Sequence, residues 1–134
     1  MILKDIDISI GGTDLSGYGR ALTMAEGSTM QEAQAYGDNW EWFERGMRKG
    51  GCTIQMYQGF GAGKPDTVIS ALLATTTTVV IKPTSATVGT TNPTFTMVAA
   101  IENYERFAGQ IGDRGICTLD LVLAANTGIA RAVT

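Results

Sequence analysis

Hydrophobic and polar residues alternate along much of the chain with the period of two that is typical of half-buried strands. In residues 4–10, for example, Ile6, Ile8 and Ile10 share one side and polar residues occupy the other. Further segments with this alternation, or with the β-branched residues that favour strands, are residues 20–35, 52–58, 75–82, 94–107 and 116–124, followed by a short extended tail at 128–134. Residues 29–35 also suit a helix, because Met, Gln, Glu and Ala favour one.

One segment near the middle of the chain has helical spacing instead. Pro65 suits the first turn of a helix and Asp66 its positive end. The residues that follow place one apolar stripe along the helix, formed by Val68, Ile69, Leu72 and Leu73. We therefore predict a short α-helix around residues 65–74. Strands separated by turns, with one helix packed on them, predict a mainly β protein with a β-sandwich fold, and the length fits a single domain over residues 1–134.

Residues 36–51 do not follow the regular pattern of the rest of the chain. The segment contains several glycines, and Trp40, Trp42 and Phe43 stand there among charged residues. We interpret it as a long loop or extended hairpin outside the core. The aromatic side chains have two explanations at this point: they fold back to cap the domain's own core, or they contact another protein, because aromatic residues are enriched at interfaces.

The second explanation identifies candidate subunit-contact residues in this segment. Arginine and tryptophan are enriched among the residues that contribute most to binding, and the cations of the segment would meet acidic groups of a neighbouring subunit. The candidate contact residues are Trp40, Trp42, Phe43, Arg45, Arg48 and Lys49.

The charge content argues against tight binding of nucleic acid. Ten basic residues face 13 acidic ones, the net charge is −3, and the only basic run is Arg45–Lys49. Neutralising phosphates requires clustered Lys and Arg, whereas an acidic surface lets DNA pass without adhering. Only 17% of the residues are charged, against about 25% in an average soluble domain. Either part of the neutral surface faces other subunits, or the chain is a Gly-, Ala- and Thr-rich β protein.

The residue types exclude most catalytic and metal sites. The chain has no histidine and two cysteines, so it cannot build a Ser-His or Cys-His nucleophile, a histidine zinc site or a four-thiolate zinc site. Cys52 and Cys117 fall on the apolar faces of their predicted strands and are predicted to be buried free thiols. The acidic pairs Asp5/Asp7 and Glu41/Glu44 are interpreted as solvated surface. We predict no enzyme activity and no cofactor.

The glycine-rich segment Gly59–Lys64 invites comparison with a phosphate-binding loop. That motif requires a Ser or Thr directly after the lysine, and Pro65 stands there instead. We therefore interpret the segment as a strand-to-helix connection. The N-terminus lacks the basic and apolar regions of a signal peptide, and no apolar run reaches the roughly 18 residues of a membrane span, so we expect a protein without membrane contact, made in a reducing cytoplasm.

The order of several short motifs resembles that of a known family. They are Tyr36-Gly37-Asp38, Gly46-Met47-Arg48-Lys49-Gly50, Gln58–Lys64, Val80–Ala86, Thr91–Phe95 and Gly112-Asp113. From about residue 8 to its end, the chain resembles the small major tail, or tail tube, proteins of long-tailed (siphovirus-like) bacteriophages. The resemblance implies a tail-tube-like β-sandwich flanked by a helix, and a virion tail protein without a catalytic site.

The resemblance also implies how such a protein functions. Six copies form a ring, rings stack into a hollow tube that conducts DNA during ejection, and a long loop reaches the adjacent ring; residues 36–51 are the candidate for that loop. A tape-measure protein and a tail terminator are the implied partners. Two alternatives stay open: a capsid decoration or other virion β-sandwich protein, and a small enzyme or ligand-binding domain, which needs a polar pocket that these residues do not supply.

Overall fold

A computed structural model describes residues 3–134, and antiparallel strands make up most of this part of the chain. The strands are β1 (Asp7–Ile10), β2 (Thr13–Asp14), β3 (Gly19–Glu32), β4 (Phe43–Tyr57), β5 (Thr76–Lys82), β6 (Thr94–Ala108), β7 (Ile116–Leu123) and β8 (Ile129–Ala132). Strands account for 54% of the structure and helix for 7%, which confirms the mainly β prediction. Within residues 3–134, no helix has both the length and the apolar character that crossing a membrane requires.

All eight strands belong to one antiparallel sheet. Its order is β2-β1-β5-β6-β7-β4-β3, and β8 pairs with the first part of β6, beyond the end of β7. The sheet curls strongly, so that strands near its two edges approach each other. Gly19 in β3 lies against Ile8 in β1, where a methyl group at Gly19 would be 3.3 Å from Ile8 Cδ1. The two layers of the predicted sandwich are thus parts of one continuous sheet that folds over its own core.

The core is formed by the apolar faces that the sequence pattern predicts. The register between β4 and β7 places Ile54 opposite Leu119 and Met56 opposite Cys117, and all four side chains are buried. The side chains that form the core are Ile8, Ile10, Leu15, Cys52, Ile54, Met56, Ile69, Val79, Ile81, Met97, Ala99, Cys117, Leu119 and Leu121. Burial of these faces is the main favourable contribution to folding.

The helix is confirmed but is shorter than predicted. Helix α1 comprises Pro65–Ser70, and Ile69 is its buried apolar anchor. Beyond Ser70 the backbone tightens into turns, in which Leu72 N donates to Ile69 O at 3.0 Å and Thr75 N donates to Leu72 O at 3.2 Å. The helix ends early because the β-branched residues that begin at Thr75 favour the strand β5.

The predicted loop over residues 36–51 is corrected by the structure, because residues 43–51 belong to strand β4. This part of β4 pairs with β3, so that Glu32 faces Phe43 and Ala25 faces Gly51. Only residues 33–42 form the connection, and the extended-hairpin interpretation is the one that applies. The same pairing holds Met30–Glu32 as strand and excludes the helical alternative for that part of the chain.

A hydrogen-bond network fixes helix α1 to the sheet. Asp66 Oδ1 accepts from Tyr104 Oη at 3.0 Å and from Arg106 Nη1 at 2.7 Å. Gln58 Nε2 in turn donates to Tyr104 Oη at 2.9 Å. Burial raises the pKa of Tyr104 to about 12, so the hydroxyl keeps its proton at neutral pH and acts as a donor.

Replacing Tyr104 by phenylalanine is expected to lower the free energy of unfolding by about 1–2 kcal/mol, because two partners lose a partly buried hydrogen bond. Urea denaturation of the purified chain measures this difference. Tyr36→Phe is the matched control, since Tyr36 is fully exposed. The loss of its hydroxyl is expected to leave the free energy of unfolding unchanged. Equal midpoints for the two variants would show that the network does not stabilise the fold.

Candidate assembly surface

A two-stranded arm projects from the sheet. β7 pairs with β4 only from Gly51 to Tyr57, so Glu26–Glu32 of β3 and Phe43–Gly50 of β4 pair only with each other. We call residues 26–50 the arm. Its paired part is seven residues long on the β3 side, which corresponds to about 23 Å at the rise of a strand.

The connection at the end of the arm is an ordered turn. The Asp38 carboxylate accepts from Ala35 N at 2.7 Å and from Trp42 Nε1 at 3.2 Å, and Ala33 N donates to Trp42 O at 3.0 Å. The backbone hydrogen bond from Ala35, followed by that from the Trp42 indole, holds the pKa of Asp38 below its usual range. The carboxylate is therefore ionised at neutral pH and fixes this turn, which we call the arm tip (residues 33–42).

A β-bulge changes the course of the arm halfway along. Ser28 faces Arg48 and Met30 faces Arg45, so β4 contains one more residue than β3 between these two pairs. Gly46 occupies the bulge, where a Cβ would lie 3.1 Å from Thr29 O. A bulge bends its strand and increases the local twist, so glycine at this position sets the direction in which the arm tip points.

The arm exposes large apolar side chains. Trp40 is 84% exposed, and Met30, Tyr36, Trp42, Phe43 and Met47 also face solvent. None of them packs on the core, which excludes the explanation that the aromatic residues cap their own domain. An isolated two-stranded hairpin is marginally stable in water, and exposed apolar surface of this kind marks an interaction site. The arm is therefore the candidate assembly surface of the molecule.

The structure places all six residues of the predicted contact set on the arm. The strand register puts Phe43, Arg45 and Arg48 opposite alternate residues of β3, on one face, whereas Lys49 pairs with Gly27 on the other. Trp42 adjoins Phe43, and Trp40 lies at the tip. The ion pairs within residues 3–134 are Lys82–Asp7 and Arg106–Asp66, so the cations of the arm are available to another molecule.

Charge is distributed unevenly along the arm. The outer part carries Glu32, Asp38, Glu41 and Glu44, and no Lys or Arg occurs from residue 21 to residue 44. Arg45, Arg48 and Lys49 follow toward the root. The tip therefore presents aromatic side chains in an acidic setting, which favours a partner surface that is both apolar and basic.

A second exposed apolar cluster lies at the other end of β4. The rings of Phe60 and Phe107 have centroids 5.9 Å apart, and the two side chains are 60% and 68% exposed. Ile111 is fully exposed in the turn after β6. We call the pair Phe60 and Phe107 the distal patch. Sequence reasoning missed it because Phe60 follows β4 and Phe107 lies near the end of β6, so the two side chains meet only in the folded chain.

The glycine-rich segment before helix α1 is the strand-to-helix connection that its sequence predicts. Asp66 N donates to Gly59 O and Lys64 N to Gly61 O, both at 3.2 Å. The Lys64 ammonium lies 5.3 Å from the centroid of the Tyr18 ring. Among the described residues, no group of three or more His, Cys, Asp or Glu side chains is placed to hold a metal ion.

Both cysteines are buried free thiols, as their positions in the strands predict. Burial raises the pKa of Cys52 from its usual value near 9 to about 12 and also raises the pKa of Cys117. A thiol reacts as the thiolate, so both are unreactive at neutral pH. The unfolded chain releases the thiol protons at a lower pH than the folded chain does. The contribution of the two buried thiols to the free energy of unfolding is therefore complete below pH 9 and is lost as the pH rises toward 12.

A thiol reagent at pH 8 is therefore expected to label neither cysteine of the native protein and to label both in urea. The release of the coloured thiolate from an aromatic disulfide reagent measures this. A Ser28→Cys variant is the control, because its added thiol lies on the arm and is expected to react at once without denaturant. Rapid labelling of the unmodified native chain would contradict the burial of the strand faces.

The fold matches solved structures of tails at low sequence identity. The tail tube of SPP1 matches with a TM-score of 0.75 and 13% identity, over 97% of this chain and 77% of that chain. A chain of the native gene transfer agent virion matches with a TM-score of 0.70 and 12% identity, over 97% and 95%. A chain of the empty gene transfer agent tail, refined as a helix with C6 symmetry, gives 0.64 and 11%, over 90% and 86%.

The similarity of this chain to known proteins lies in its structure and not in its sequence. No protein-family model and no curated protein matches the sequence. The three structural matches nevertheless extend over nine tenths of the chain or more. The chain therefore has the tail tube fold, which confirms the fold that its sequence resemblance implied.

Proposed function

We propose that this chain is a structural subunit that assembles into stacked hexameric rings, and that these rings form a tail tube through which DNA passes during ejection. The observation that carries the proposal is the arm, a projecting apolar hairpin on a fold shared with tail tube structures. A protein that functions alone has no use for such a surface, whereas a subunit that must bind its copies requires one.

The ring of six is supported by one of the structural matches. The gene transfer agent tail was refined with C6 symmetry, and its subunit shares this fold over most of both chains. Closed rings use one interface repeatedly around an axis, and rings then stack through a different one. A ring of six would have six times the 14.2 kDa mass of the chain, with the arm directed along the tube axis toward the next ring.

The six candidate contact residues of the arm take defined roles in this proposal. The aromatic side chains Trp40, Trp42 and Phe43 lose their exposure against the adjacent ring, which supplies the apolar part of the contact. Arg45, Arg48 and Lys49, which are free of ion pairs within residues 3–134, meet acidic groups of the neighbouring subunits. Such charges steer association and fix its register more than they add affinity.

The location and partners follow from the same proposal. The subunit resides in the virion tail after synthesis in the host cytoplasm, and a tape-measure protein and a tail terminator set the length and end of the tube. No catalytic step is part of this function. The curled sheet and the arm provide shape and contacts, and the chain needs no cofactor to do so.

The purified protein is expected not to bind duplex DNA at physiological salt, because phosphate neutralisation requires clustered cations and the net charge is −3. Fluorescence anisotropy of a labelled duplex, titrated with the protein in about 150 mM salt, tests this. Binding that saturates in the micromolar range would contradict the idea of a tube that lets DNA slide past.

Native mass spectrometry tests the number of copies in a ring. Dilute protein is expected to give the monomer and a discrete species of six times 14.2 kDa, without a continuous ladder between them, because a closed ring gains its last interface only on closure. A dominant species of another size would replace the proposed ring of six. Retention of monomer only, even on concentration, would count against ring assembly by the isolated chain.

A further inference from the structure

The arm and the distal patch lie at opposite ends of strand β4. The arm tip connects to Phe43 at the first end, whereas Tyr57, which pairs with Ile116 beside Ala108, lies at the second. Fifteen residues of strand separate these ends, which corresponds to about 45 Å. When one such apolar surface of a subunit binds the other surface of a second copy, the contact is heterologous. A heterologous contact that does not close into a ring repeats from copy to copy and generates a stack.

The end of the molecule that carries the distal patch combines exposed aromatic rings with two cations. The Lys64 side chain lies close to Gly59 and Gly61, on either side of Phe60, and neither Lys64 nor Arg114 forms an ion pair within residues 3–134. The Arg114 guanidinium lies 3.9 Å from the centroid of the ring of Tyr57, the last residue of β4. The acidic groups nearby are partly engaged: Asp66 is paired with Arg106 at 2.7 Å.

Two further carboxylates at this end affect the charge balance. Asp113 Oδ2 accepts from Gln110 N at 3.1 Å, and Glu105 lies on an exposed part of β6. The charged groups at this end thus cancel one another, so the distal end does not repel the four carboxylates of the outer arm. The charge complementarity is local: it joins the carboxylates of the outer arm to Lys64 and Arg114, the two cations without an ion pair within residues 3–134.

We propose that the distal patch is the acceptor for the arm tip of a second copy of this chain, with Trp40 packing against the exposed pair Phe60 and Phe107. This inference rests on the proposed stacking of rings and identifies the two surfaces that meet there. Aromatic side chains in contact lose solvent exposure on both sides and contribute the centre of the interface. The cations of the patch then face Asp38 and Glu41 of the arriving tip.

An apolar groove of about 290 Å³ is the alternative acceptor, and its position argues against it. Its lining includes Leu22, Met24, Phe95 and Ile129 near the root of the arm, and Glu26 borders it. Two copies that insert their arm tips into each other's grooves would form a closed pair instead of a stack. The Glu26 carboxylate would also meet the acidic tip without compensation, because the only lysine of the groove, Lys82, is paired with Asp7 at 3.3 Å.

Cysteine cross-linking between copies tests which surface accepts the tip. The native thiols are buried, so a short bismaleimide reports only introduced cysteines. An Asn39→Cys variant, which keeps Trp40, is mixed in equal amounts with Ala62→Cys in one sample and with Phe95→Cys in another, under assembling conditions. Asn39 and Ala62 are exposed neighbours of Trp40 and Phe60. We expect at least about tenfold more covalent dimer with Ala62→Cys, because docking raises the effective concentration of the two thiols.

Equal or greater cross-linking to the groove variant Phe95→Cys would overturn the proposal, and so would the absence of dimer in both mixtures when tubes are seen. Each single variant treated alone corrects for contacts between like positions. The cross-linked band is mapped by peptide mass spectrometry, which establishes that the dimer joins residue 39 of one copy to residue 62 of the other.

A double variant with Phe60→Ser and Phe107→Ser separates this inference from the proposed function. Both side chains are largely exposed, so the melting temperature is expected to stay unchanged and rings of six to persist, whereas tubes are lost. If the unmodified chain never forms tubes, the proposed function fails. If both the unmodified chain and the double variant form tubes, the proposed function stands and the distal patch is not the acceptor.

Discussion

Replacing both Trp40 and Trp42 by alanine is expected to abolish tubes at concentrations where the unmodified protein assembles fully. Interface tryptophans that act as hot spots contribute about 2 kcal/mol or more each, and about 2 kcal/mol corresponds to roughly a 30-fold change in an equilibrium constant. The minimum concentration for assembly should therefore rise by at least about 30-fold. Since neither side chain packs on the core, the melting temperature of the subunit should be unaffected, and the Asp38 carboxylate in the arm tip keeps its hydrogen bond from Ala35 N while it loses the one from Trp42 Nε1.

Sedimentation of assembled material over a concentration series measures this effect, and thermal melting of the monomer checks the fold. Asn39→Ala is the matched control, because Asn39 is an exposed polar residue of the same arm tip and its truncation should leave assembly as it is. Tubes that form normally in the tryptophan double variant would show that the arm does not have the role assigned to it.

Replacing Ile54 by alanine is expected to destabilise the chain by about 2–5 kcal/mol, because the substitution leaves a cavity in a packed core. Ile54 is fully buried in β4 and faces Leu119 of β7, at the centre of the curled sheet. The whole stability of a small domain is about 5–15 kcal/mol, so this loss is a large part of it. Assembly should fail as well, because the unfolded fraction has no arm to present.

Urea denaturation gives the free energy of unfolding for this variant. Thr53→Ala is the control from the adjacent position: Thr53 points outward and donates to Asp120 Oδ1 at 3.0 Å, an exposed hydrogen bond whose loss costs about 1 kcal/mol or less. Similar midpoints for the two variants would mean that the faces of β4 are reversed relative to the core.

The core was predictable because its signal is local. Alternation places Cys52, Ile54 and Met56 on one face of β4 whatever the strand pairs with, and the structure buries all three. The same holds for the start of the helix, where Pro65 supplies its fixed backbone angle at the first turn. Where the period of two is regular and one face is apolar, sequence alone identifies the strand and its buried side.

The arm was less predictable because both of its faces are exposed. Residues 43–50 are charged, aromatic, methionine or glycine and form no continuous apolar face. The alternation of apolar and polar residues that identifies the other strands is therefore absent here. Strand structure there comes from pairing with β3, including a bulge at Gly46. The paired residues are 11 to 24 positions apart in the sequence. The distal patch is still less visible in the sequence, since Phe60 and Phe107 meet only in three dimensions.

Electron microscopy of the negatively stained, purified protein over a concentration series, with mass measured in parallel, tests the central claim most directly. The expected result is hollow tubes of uniform width, built from stacked rings, that appear above a threshold concentration. A monodisperse monomer at every concentration would contradict self-assembly of this chain. Binding to icosahedral shells without any tubes would instead identify it as a capsid decoration protein.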